Sequence, residues 1–128
     1  MNKISLAAKA RELLKVAETA SSGRAADTIV GGHEKRLRQT AVALRQGAVM
    51  NVQSTSGEAT LLVITGRLWL RAGGTRWFGR EWSHLVIPDG PFEVEGETDT
   101  TFLLTVALSR TIQSSGGHED PVRLAEPV

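Results

Sequence analysis

Polarity along the first twenty residues repeats with a helical period. Residues 4–20 place Leu6, Ala10, Leu13, Leu14 and Ala17 on one face, with Lys9, Arg11, Glu12, Lys15 and Glu18 filling much of the other. That spacing predicts an amphipathic helix. Ser5 is a candidate N-cap, and Ser21-Ser22-Gly23 supplies a stop. A helix this short is marginal by itself in water, so its leucine stripe must cover the body of the domain or a second subunit. Residues 21–36, rich in Ser, Gly and Asp and containing Gly31-Gly32, predict a loop with at most a short strand at 28–30.

From Leu37 the period changes to two. Leu37, Gln39, Ala41 and Ala43 alternate with Arg38, Thr40, Val42 and Leu44. Short strand-like runs follow at 48–53, 60–64, 67–71, 75–78, 84–87, 92–95 and 101–108, broken by glycine turns such as Thr65-Gly66, Gly73-Gly74 and Asp89-Gly90. Many short strands at this spacing predict an all-β sandwich or barrel. In 67–71, Leu68 and Leu70 should face the core, leaving Arg67, Trp69 and Arg71 on the other side. Residues 101–108 are nearly all apolar and predict a central strand buried on both faces. The chain thus divides into a helix (1–23), a β-barrel (24–111) and a polar tail (112–128), read as mobile or draped over the surface.

Composition narrows the function classes. The 128 residues suit one domain. With no cysteine, disulfides and thiolate metal sites are excluded. Fifteen Lys and Arg against fourteen Asp and Glu leave a net charge of +1, too balanced to mark a nucleic-acid surface. No stretch approaches the roughly 18 consecutive apolar residues of a membrane span, and the N-terminus lacks the pattern of a secretory signal. The expected location is the cytoplasm, with neither nucleic acid nor membrane as partner.

Two blocks carry a resemblance. Residues 47–66 read GAVMNVQSTSGEATLLVITG, and residues 83–95 read SHLVIPDGPFEVE. They resemble the two conserved motifs of the cupin superfamily: Gly47 and Gly66 match the ends of the first, and Val86-Ile87-Pro88 with Gly90 match the second. The stretch 37–108, through LRQTAVAL, GEATLLVITGRL, LVIP and LLTVAL, is similar to small single-domain bacterial cupins. The resemblance implies a double-stranded β-helix, or jelly-roll barrel, behind the N-terminal helix. It does not imply a reaction, because one fold hosts many activities.

Cupins typically hold a metal through three histidines and a carboxylate. Counted from Gly47, the first two histidine positions fall on Gln53 and Thr55, the carboxylate near Ala59 or Thr60, and the last histidine on Phe92 or Glu93. Gln, Thr and Phe are poor ligands for a divalent transition metal. The expectation is therefore no metal and no cofactor. The resemblance places Gln53, Thr55, Thr60 and Phe92 toward the barrel pocket, where amide and hydroxyl groups could orient a small ligand. The competing reading, that Phe92 fills a lumen without a metal, is preferred because small barrels are commonly packed solid.

The other candidates are fewer. His33, beside Glu34, is either a ligand over the barrel mouth or a solvated loop residue. His84 is read as a strand-end side chain, and His118 lies in the tail. Trp69, with Arg67 and Arg71, is either an interface anchor, since Trp and Arg concentrate at interface hot spots, or packs under the helix or a loop. The run 76–82 interleaves basic and aromatic residues, but it is one short hairpin in a nearly neutral domain. The resemblance, edge strands that need cover and the aromatic–arginine face together predict a homodimer. The expected role is small-ligand binding, regulation or assembly. The alternative is an isomerase- or oxygenase-like enzyme using a residual pocket.

Overall fold

The computed structural model describes residues 3–55, 57–108 and 122–124. Helix α1 (Leu6–Thr19) starts where its cap predicts, the Ser5 hydroxyl accepting a 3.2 Å hydrogen bond from the Ala8 N–H. This satisfies one of the donors that a helix start leaves open. At the other end Arg45 reaches from a turn of the barrel and donates to the carbonyls of Glu18 at 3.0 Å and Ala20 at 3.4 Å. A cation there also opposes the negative end of the helix dipole.

Among the described residues ten strands follow: β1 (Arg24–Val30), β2 (Leu37–Leu44), β3 (Val49–Thr55), β4 (Gly57–Thr65), β5 (Leu68–Ala72), β6 (Thr75–Gly79), β7 (His84–Ile87), β8 (Phe92–Gly96), β9 (Thr100–Leu108) and β10 (Val122–Leu124). They form two five-stranded sheets, ordered β1-β2-β9-β4-β7 and β10-β3-β8-β5-β6. Their strand pairings are antiparallel. This is the jelly-roll arrangement, and β9 lies at the centre of the first sheet as its apolar run predicts.

One expectation is corrected. Residues 24–30, read mainly as loop, form a full strand whose residues Arg24 to Val30 pair with Leu44 back to Gln39. The segment is polar because β1 is an edge strand, and hydrogen bonding to β2 overrides its weak local propensity. Of the tail read as mobile or surface-draped, Val122–Leu124 pair with β3; residues 109–121 and 125–128 lie outside the described set.

The main core lies between the sheets. Val42, Leu44, Ala59, Leu61, Val63, Ile87, Phe102, Leu104 and Val106 come from the first sheet, and Met50, Val52, Leu68, Leu70, Ala72, Phe92 and Val94 from the second. Leu68 and Leu70 are buried, as the alternation of 67–71 predicts. A second layer forms on the outside of the first sheet. There Leu13 and Ala17 of α1 meet Ala25, Ala41 and Ala43, while Ala10 meets Ile64 and Leu103. The leucine stripe of the helix thus covers its own barrel, and the ends of β2 and β9 are buried on both faces.

Both glycines matched to the ends of the first motif have left-handed backbone, Gly47 at φ 84° and Gly66 at φ 79°. Gly66 has a further constraint. A Cβ placed there would collide with the Asp99 carbonyl and approach Thr100 Cα to 2.8 Å. The β4–β5 turn therefore nests against the β8–β9 turn in a way that only glycine permits.

Candidate functional site

The pocket implied by the family resemblance would lie between β3, β4 and β8. Among the described residues, these strands turn Met50 and Val52, Ala59, Leu61 and Val63, and Phe92 and Val94 inward, all in the apolar core. Gln53 follows inward Val52 and is exposed. Thr60 sits between inward Ala59 and Leu61 and is half-buried on the outer side, paired with Val86 and Thr105. The expectation that Gln53 and Thr60 point into the lumen is therefore corrected. Strand side chains alternate faces, so a register one residue off reverses every assignment along a strand. Thr55 ends β3, and its side chain lies outside the described set. Phe92 does point inward and is 3% exposed.

The structure nevertheless brings Gln53 near Phe92. Both line a shallow cleft of about 280 Å³ at one end of the barrel, with Asn51, Arg71 and Glu93. Arg71 donates to Glu93 and Glu95 through its two terminal nitrogens. The hydrogen bond to Glu95, with that to Glu93 beside it, holds the guanidinium above its already high ordinary pKa. Arg71 is therefore a fixed cation, committed to its neighbours.

The donor set does not suit the metal that the fold family implies. The described inward positions present methyl, methylene, thioether and phenyl groups, none of which replaces imidazole or carboxylate at a hard or borderline cation. Among the described residues, no three His, Asp or Glu side chains gather in a group that could hold a metal ion. His33 is exposed in the turn between β1 and β2, and His84 is exposed at the start of β7; His118 lies outside the described residues.

Trp69 lies on the outer face of the second sheet, on the opposite side of the barrel from α1. The alternative that it packs under the helix is thereby corrected. Its indole N–H donates to Glu97 at 2.8 Å, its ring meets Phe78 edge-on at 5.2 Å, and the Arg76 guanidinium lies 4.4 Å from its centroid. Arg67 bonds the other Glu97 oxygen at 3.3 Å. Arg67, Trp69 and Arg71 thus form a row held by Glu93, Glu95 and Glu97 across the strand pair.

The run 76–82, with its interleaved basic and aromatic residues, forms β6 and the turn before β7. Trp77, Phe78 and Trp82 in it are exposed, as is Val86 in β7, Trp82 by 67% and Val86 by 75%. Trp82 is also the one non-glycine described residue with a left-handed backbone, at φ 70°. What the sequence did not show is that Trp82 stands beside the helix.

No family model and no curated protein matches the chain. Solved structures do. A cupin superfamily protein from Desulfitobacterium hafniense is similar over 76% of this chain and 88% of its own, with 11% identity and a TM-score of 0.65. The cupin domain of an XRE family transcriptional regulator from Enterobacter cloacae is similar over 68% of this chain and 98% of its own, with 13% identity and a TM-score of 0.62. Salicylate 1,2-dioxygenase from Pseudoaminobacter salicylatoxidans is similar over 83% of this chain but 34% of its own, with 19% identity and a TM-score of 0.67.

Proposed function

We propose, on the premise that this chain has the cupin fold, that it is a binding protein with a regulatory or assembly role rather than an enzyme working from its barrel. One observation carries this reading: among the described residues, the positions facing inward from β3, β4 and β8 are apolar and belong to a continuous core. The fold alone does not decide between roles, since its likenesses include both a regulator's domain and a dioxygenase. The described part of this filled barrel offers a substrate neither a polar anchor nor a general acid or base.

The proposed working form is a homodimer joined through the outer face of the second sheet. Helix α1 covers the corresponding face of the first sheet. The row of Arg67, Trp69 and Arg71, bordered by Phe78 and Arg76, supplies the aromatic and guanidinium groups that interfaces favour. Light scattering should give twice the chain mass for the wild type and the chain mass for Trp69→Glu.

The test of the main reading is elemental analysis of purified protein, with thermal unfolding before and after a strong chelator. The expected result is substoichiometric metal and an unchanged midpoint. One equivalent of Fe, Mn, Ni or Zn whose removal lowers the midpoint would overturn the proposal.

A further inference from the structure

Between α1 and the turn joining β6 to β7 lies a half-enclosed groove of about 490 Å³, within the size range of small-molecule sites. Leu6, Ala10 and Leu14 from the helix and Ile64 from β4 make it largely apolar. Its lining also includes Arg11, Glu81, Trp82 and Asp99. Asp99 accepts a hydrogen bond from the Gln46 N–H at 2.8 Å, whereas neither Arg11 nor Glu81 has an ion-pair partner among the described residues.

Trp82 sets this groove apart from ordinary surface relief. Its backbone is clamped on both sides. The Trp82 N–H donates to the Val63 carbonyl at 2.9 Å, and the Val63 N–H donates to the Ser83 carbonyl at 2.9 Å. The Ser83 N–H donates to the Arg80 carbonyl at 2.7 Å, while the Ser83 hydroxyl accepts from the Arg80 N–H at 3.0 Å. These bonds hold a left-handed conformation that suits glycine or asparagine and costs free energy for a residue with a bulky Cβ substituent. The same residue leaves two thirds of its surface in water. A large aromatic side chain that is strained and also largely unburied contributes little to folding, and strain of this kind concentrates at ligand sites.

We propose that this groove binds a small apolar zwitterion of the amino-acid type: a large apolar side chain carrying both an ammonium and a carboxylate. The apolar part lies on Leu6, Ala10, Leu14 and Ile64 against the Trp82 ring. The ammonium is met by the Glu81 and Asp99 carboxylates and the indole face, which attracts cations. Arg11 receives the carboxylate, a planar match for its guanidinium. A rim that carries charges of both signs, with Arg11 and Glu81 unpaired among the described residues, favours this occupant over a simple amine or a simple acid, because either leaves one rim charge without a partner.

This inference adds a ligand site to the binding role proposed above. The two fail separately, since barrel metal content does not depend on Trp82.

Isothermal titration calorimetry of the full chain with L-phenylalanine, phenethylamine and 3-phenylpropionate tests it. Phenylalanine should bind in the millimolar range or tighter, and each single-charge analogue at least about tenfold more weakly, the factor that one charged hydrogen bond carries. Glu81→Gln should reduce the preference for phenylalanine over 3-phenylpropionate, Asp99 retaining part of it. Arg11→Gln should remove its preference over phenethylamine. Trp82→Gly should abolish binding while the thermal midpoint holds or rises, a combination that a merely structural tryptophan would not give. No heat with phenylalanine, equal binding of all three compounds, or unchanged affinity in Trp82→Gly would each overturn the proposal.

Discussion

Replacing Phe92 by alanine probes the packed barrel directly. Phe92 is 3% exposed and belongs to the core cluster shared by both sheets. A phenylalanine buries roughly 150–200 Å² of apolar surface, which at about 25 cal/mol per Å² is worth about 4–5 kcal/mol. Alanine keeps a small part of that, while the cavity left behind adds its own cost, and core Phe→Ala changes fall at about 3–5 kcal/mol. Against a total stability on the order of 5–15 kcal/mol, this is a large share, and for a domain of this size it lowers the midpoint by roughly 10–20 °C. Urea unfolding followed by tryptophan fluorescence measures it. The new cavity should also accept a small aromatic, and benzene or indole at a hundred times its dissociation constant would restore about 2.7 kcal/mol. A loss below about 1 kcal/mol, with no rescue by an apolar ligand, would refute the filled-lumen reasoning and return Phe92 to the rim of an open pocket.

Other outcomes follow from the same structure. Gly66→Ala should cost several kcal/mol, since it adds left-handed strain to a collision with the Asp99 carbonyl; a stability loss under about 1 kcal/mol by denaturant titration contradicts the nested turns. Ser5→Ala should lower stability by about 1 kcal/mol through loss of the helix cap, read from the urea midpoint. The Lys9 ammonium is held above its ordinary pKa chiefly by its hydrogen bond to Asp27. A raised folded pKa means that its contribution is full below the ordinary lysine pKa and fades as pH climbs through the folded value. Lys9→Met should flatten that alkaline decline in the thermal midpoint.

The architecture was legible because its signals are periodic. The 3.6-residue stripe of α1 and the two-residue alternation of Leu68 and Leu70 each survive in the structure, as does the apolar run that became β9. Strand β1 was not legible, because Ala26, Asp27 and Thr28 carry no apolar pattern and owe their conformation to pairing with residues twelve to sixteen positions further along the chain. Gln53 and Thr60 were misplaced for a different reason. Matching a motif by counting from Gly47 fixes position along a strand but leaves its facing open, and facing reverses with every residue. The groove beside Trp82 was beyond reach, since its walls come from residues 6–14, 64–65, 81–82 and 99, which only the fold brings together.

Where Leu13 and Ala17 of α1 meet the first sheet, the buried sheet side chains are alanines: Ala25, Ala41 and Ala43. Such short side chains act as shims, setting how closely the helix rides on the sheet. The same helix forms one wall of the Trp82 groove. A single added methyl in that layer, remote from any ligand, would lever the wall outward and alter which molecules the groove admits, so the chain could retune its selectivity without changing a contact residue.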